Sequence, residues 1–137
     1  MKFSLREPTL VMARVEGERG AVRELSAVLD FNTPYCTMLH QDAVDLGYPE
    51  AGNKHPDQER LTPERVPRFV EMRGIERGIL VTVNKISIGP IVARDVETAI
   101  LELETPRFIP FDLRLGRSFL KSCKMTVDVK NETVTLV

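Results

Sequence analysis

Apolar and β-branched positions crowd two early stretches, LVMARVEG (10–17) and ELSAVLDF (24–31). The polar segment between them holds Gly17 and Gly20, so the pair predicts a hairpin. The spacing then changes. LHQDAVDLG (39–47) puts apolar residues at Leu39, Ala43, Val44 and Leu46 before Gly47, which predicts a short amphipathic helix with a glycine stop. Between 48 and 68 the pattern collapses: Pro49, Pro56, Pro63 and Pro67 lie among charges, predicting a surface loop long enough to be either functional or mobile. RFVEM (68–72) and ILVTVNKISIG (79–89) flank RGIERG, predicting a projecting hairpin with a Gly74–Gly78 tip. VARDVETAILELE alternates as a further strand, and Pro106 and Pro110 in TPRFIPFD mark a second loop. DLRLGRSFLKSC runs from a short strand through Gly116 into a short helix. KMTVDVKNETVTLV closes as two strands around Lys130–Glu132, with Asn131 at the turn.

This strand-rich pattern spans 137 residues, the size of a single domain (1–137) able to bury a real core, with 48–68 as a proline-rich insertion. A net charge of −1 and pI near 6.1 lack the concentrated basic face of a nucleic-acid binder. No apolar run approaches membrane-spanning length, and MKFSLREPTLVM has no signal-peptide core, so the expectation is a cytoplasmic protein without membrane contact. Two cysteines, Cys36 and Cys123, are too few for a disulfide framework and read as reduced, buried small hydrophobes.

Twice the chain gives an apolar strand, a tight turn and a short helix: AVLDFNTPYCTMLHQDAVDLG, then DLRLGRSFLKSC. Together with the hairpin between them, these segments resemble the retropepsin family of single-domain aspartic peptidases. The strand end VLD-FNT and the helix end AVDLG resemble the family's first block, a strand ending in Asp-Thr/Ser-Gly and a helix ending in Leu-Gly. FVEMRGIERGILVTV resembles its glycine-tipped flap, and LRLGRSFL its Gly-Arg corner and helix. The resemblance covers roughly residues 10 to 137 and implies an all-β, closed barrel-like domain with one or two short helices. It also implies a homodimer in which Asp30 of each chain shares a catalytic water. Two carboxylates a few ångströms apart cannot both ionise, so one acts as base on water and the other as acid toward the scissile carbonyl.

The departures fall on the site itself. Counting from Asp30, Phe31 replaces a Thr or Ser, Asn32 replaces Gly, and Thr33 replaces a small Ala or Ser. The family's hydroxyl bonds across the dimer, and Phe31 has neither donor nor acceptor. Asn32 tolerates unusual dihedrals next best after glycine. Thr33 could supply the missing hydroxyl from a shifted position. Two readings therefore stand: Asp30 is half of a catalytic pair, or it is a turn residue whose carboxylate accepts backbone N–H bonds.

Met72, Arg73, Gly74 and Ile75 match the flap that covers substrate, with Arg73, Glu76 and Arg77 making this tip more charged than retroviral ones. Its bland alternative is an exposed hairpin turn. Gly116 and Arg117 match the structural corner near the site. The aspartate that pairs with this arginine in retroviral members is Pro34 here, so Arg117 either pairs elsewhere or is solvated.

Other chemistries fit less well. Ser118 in GRSFL lacks the glycine that a nucleophile elbow needs two residues on. Cys36 and His40 are four apart, a metal pair only if 36–40 were helical, and with His55 they still fall short of four ligands. GERGAVREL lacks the Gly-Lys-Ser/Thr of a phosphate loop. Asp112 and Asp128 lie near strand ends and are candidates for structural roles. No metal or cofactor is expected. The sequence thus predicts a homodimeric aspartic endopeptidase acting on an extended peptide or protein segment. Its rivals are a catalytically silent dimerisation or peptide-binding module on the same scaffold and a monomeric β-domain with no cleft.

Overall fold

Most of the predicted alternation becomes strand. The computed structural model describes residues 1–6, 10–48, 68–72, 76–101 and 111–137, with backbone alone for 68–72, 76 and 77. β1 (Lys2–Ser4), β2 (Val11–Glu16), β3 (Val22–Leu29) and β4 (Cys36–Leu39) precede α1 (His40–Asp45). β5 (Arg68–Met72), β6 (Glu76–Ile88), β7 (Ile91–Leu101), β8 (Leu113–Leu115), α2 (Arg117–Leu120), β9 (Met125–Asp128) and β10 (Thr133–Leu136) follow.

Six strands close on themselves in the order β2-β3-β8-β4-β7-β6, with β6 pairing back onto β2 at Val15↔Ile86. Closure removes free sheet edges and lets one face of every strand bury side chains inside. Ala13 and Val15 of β2, Leu25 and Ala27 of β3, and Leu113 and Leu115 of β8 face this interior at a period of two. β4, flanked by β7 and β8, buries Cys36, Thr37 and Met38 in succession, as a central strand covered on both faces does. Phe119 from α2 and Leu46 at the end of α1 complete the core.

The hairpin of β2 and β3 and the helix with its glycine stop form as expected; Gly47 takes φ +89, the left-handed value that ends α1. Four details depart from the sequence reading, the first being β4 itself, a strand over Cys36–Leu39 where none was expected. Gly78 lies inside β6, paired with Val70 on one side and Leu101 on the other, and is not part of the hairpin tip. A Cβ there would stand 2.8 Å from the Ile100 carbonyl oxygen, so glycine serves close approach to β7. The alternation of β7 breaks phase at Asp95 (φ +52), changing from Ile91 and Ala93 to Val96, Thr98 and Ile100 as the buried set. There the long β6–β7 hairpin changes neighbours: residues near 86 pair with β2, and those near 100 pair with β4.

The fourth departure is β1, which the sequence reading also missed. It pairs with β10, and β10 with β9, in a separate three-stranded sheet. Phe3, Val134 and Leu136 anchor this sheet to the core, whereas all four β9 residues are exposed. Its turn uses Glu132 (φ +53) in the left-handed position. Asn131 instead bonds Asp128 with its backbone N–H (3.1 Å) and side-chain amide (2.8 Å), and these hold the Asp128 carboxyl below the usual carboxylate range. Among the described residues no helix is long and apolar enough to cross a membrane.

The expected 48–68 loop falls, for residues 49–67, outside the described residues, as do Arg73, Gly74 and Ile75 of the hairpin tip and most of the second proline-marked loop.

Candidate active site

β8 runs parallel to β3 and antiparallel to β4, inserting between two strands that are consecutive in sequence. Asp112 secures its start: its N–H donates to the Ser26 carbonyl (2.9 Å), and its carboxylate accepts the Ser26 hydroxyl (3.1 Å). The pairing Leu29↔Leu115 then brings the end of β3 beside the end of β8, and the Asp30 N–H donates to the Leu115 carbonyl at 2.9 Å. The loop that leaves β3 and the corner that leaves β8 are thereby built against each other.

Gly116 is the point of contact. A Cβ at this position would overlap the Tyr35 carbonyl oxygen and stand 2.9 Å from that of Thr33. Two N–H groups of the next turn lock the contact, Arg117 onto the Thr33 carbonyl (2.9 Å) and Ser118 onto that of Pro34 (3.0 Å). The buried Ser118 hydroxyl accepts the Cys36 N–H (3.0 Å) and donates to the Glu97 carbonyl (2.6 Å), tying β4 and β7 to α2. Ser118 is thus a structural hydroxyl. Burial pushes the Cys36 thiol up, and Cys123, half-buried, is raised by the same cause. Cys36 lies on a strand inside the barrel, which removes it as a helical metal partner of His40. No group of three metal-ligating side chains occurs among the described residues.

Asp30 sits at the mouth of this junction with its side chain 16% exposed. Its Oδ1 accepts the Asn32 N–H at 2.9 Å, which fixes the carboxylate in an Asx turn and leaves Oδ2 facing Arg114 Nε at 3.5 Å. Phe31 packs against the barrel core. Asn32 is exposed, and the buried Thr33 donates its hydroxyl back to the Asp30 carbonyl (3.3 Å), so that hydroxyl serves its own loop.

Arg114 is the residue the sequence reading passed over. Arg117, which it singled out, has an exposed side chain with no ion pair among the described residues. Three positions earlier, Arg114 is 20% exposed, lies over the Phe111 ring at 5.5 Å and reaches Asp30. The signal was present in the Leu-Arg-Leu of β8: period two puts Arg114 opposite the buried Leu113 and Leu115, and only the pairing with β3 shows what lies on that face. Met72 is placed by its backbone, paired with Glu76 at the outer end of the β5–β6 hairpin. A cavity of about 590 Å³ opens elsewhere, on the terminal sheet between Phe3, Lys130 and Thr133, away from this chemistry.

No protein-family model matches the sequence, and no curated protein matches it. Solved structures do. A retropepsin-like aspartic protease from Rickettsia conorii superposes with a TM-score of 0.64 at 13% identity, over 99% of this chain and 88% of that one. The retroviral protease-like domain of Ddi1 from Leishmania major superposes with a TM-score of 0.52 at 14% identity, over 94% of this chain and 87% of that one. Closed six-stranded barrel, β8 inserted between β3 and β4, and paired corners at Asp30 and Gly116: the chain has the retropepsin-like fold.

Proposed function

We propose that this chain is a homodimeric aspartic endopeptidase in which Asp30 of each subunit meets its counterpart across a two-fold axis. One observation carries the reading: in a retropepsin-like fold, a carboxylate stands at the strand end beside the glycine corner, with one oxygen accepting the Asn32 N–H. A single chain provides one such group, and the chemistry needs two. With one proton between the pair, the ionised carboxylate takes a proton from water as the water oxygen attacks the peptide carbonyl carbon. The protonated partner gives its proton to the carbonyl oxygen. Collapse of the tetrahedral intermediate breaks the C–N bond, and the proton taken from water passes to the leaving amine. The hairpin tip at Met72, Arg73, Gly74 and Ile75 is assigned to cover an extended substrate, which would pair with it as an added strand.

Hydrolysis of denatured protein between pH 4 and 7 tests this. Wild type should turn over, Asp30→Asn should not, and sedimentation should give a dimer at micromolar concentration. Equal rates in both proteins, or a monomer, would overturn it. Phe31→Thr, which restores a hydroxyl beside the carboxylate, should raise the rate.

A second reading is favoured by the ion pair of Asp30 with Arg114 and by the Thr33 hydroxyl turned inward. On it the same fold is a silent peptide-binding or dimerisation module. Wild type that binds peptide without cleaving it would select that reading.

A further inference from the structure

We propose that Arg114 is a substrate-recognition residue that selects a peptide carrying an acidic side chain, Asp or Glu, beside the bond held at Asp30. The assignment rests on the placement of the cleft at Asp30 in the proposed function, though not on turnover there.

The strand geometry puts the guanidinium where a bound segment must pass. Leu113 and Leu115 are fully buried in the barrel, so Arg114 between them projects from the opposite face, the face from which Asp30 emerges. Its partners across the ladders are Val28 on β3 and Thr37 on β4. Phe111 lies 5.5 Å from the guanidinium carbon and supports the head group from one side. The arginine is thus a held group, 20% exposed, at the centre of the junction.

Asp30 does not satisfy it. The contact is a single Nε approach at 3.5 Å, longer than a charge-assisted hydrogen bond, and it is Oδ2 that faces it while Oδ1 is committed to Asn32. A guanidinium carries five donors in a planar fork. Among the described residues Asp30 is the carboxylate that pairs with Arg114, so the remaining fork is matched in shape and charge to a second carboxylate. The charge balance of a dimer points the same way. Two Arg114 bring two positive charges, against the one negative charge of a carboxylate pair sharing a proton. The excess favours an acidic segment, and in a partly desolvated cleft such a preference is stronger than at an open surface.

The test uses the full chain and pairs of extended fluorescent peptides that are identical except for Glu against Gln, or Asp against Asn, at one position at a time. Wild type should cleave the acidic member at least tenfold faster in kcat/KM at one position flanking the scissile bond. The ratio should fall as salt rises. Arg114→Leu should bring it to near one, and Arg114→Lys should retain part of it. If Arg114→Leu is unfolded by circular dichroism, Arg114→Gln supplies the same comparison. A wild-type ratio near one at every position, or a ratio unchanged in the uncharged variant, would overturn the assignment while leaving the endopeptidase standing. Binding of the same peptide pairs, followed by fluorescence anisotropy, separates the reverse case. Charge-selective binding that is lost in Arg114→Leu, without cleavage, would remove the endopeptidase and retain the arginine's role. Neither cleavage nor charge-selective binding would remove both.

Discussion

The two corners that meet at the site differ in what they can tolerate. At the Gly116 corner, backbone lies against backbone: Tyr35 and Thr33 carbonyls press on the glycine, Ser118 is buried, and its hydroxyl joins β4 to β7. At the Asp30 corner, the same loop turns outward, with Asn32 exposed, Phe31 partly buried and the carboxylate shared between an Asx turn and Arg114. One corner is scaffold, and the other is the one to which the proposed function assigns the chemistry. Departures from a common sequence pattern are therefore cheap at residues 31 and 32 and costly at 116.

This contrast can be broken by substitution. Gly116→Ala should have the largest effect on folding, a loss of about 3 kcal/mol or more by overpacking against backbone that cannot rotate away, read from urea unfolding. Ser118→Ala comes next. Removing the hydroxyl leaves the buried Cys36 N–H and Glu97 carbonyl each short of a partner, for a loss of about 2 kcal/mol. Asp30→Ala loses the turn bond to Asn32 and the long contact with Arg114, about 1 kcal/mol, and Asp30→Asn, which keeps an acceptor oxygen, should cost less than that while abolishing any turnover. Thr33→Val should be the mildest, about 0.5 kcal/mol, since the bond it removes is a long one of 3.3 Å. If Asp30→Ala proves as damaging as Gly116→Ala, the Asp30 corner is scaffold too, and the proposed division of labour fails.

How much of this could be read in advance follows from where each signal resides. Most barrel strands were legible because a half-buried strand writes its period into its own residues, as β2 does with Ala13 and Val15. By contrast β4, which buries Cys36, Thr37 and Met38 in succession, shows no such period and was missed. The break at Asp95 was not, since a strand that changes neighbours midway keeps its composition and alters only its partner. β1 is three residues long and has one buried side chain, Phe3, too short to show any period. Gly78 looked like a turn residue because glycine in a strand and glycine in a tip are the same letter. What separates them is the nearness of Ile100.

Local order in the chain sufficed for most of the elements and for placing Asp30 at a strand end and Gly116 before a helix start, since these are properties of adjacent residues. That Asp30 faces Arg114, 84 positions later, was decided only by β8 inserting between β3 and β4. Charge acts through space, and no spacing along a chain measures the distance between two strands that fold side by side.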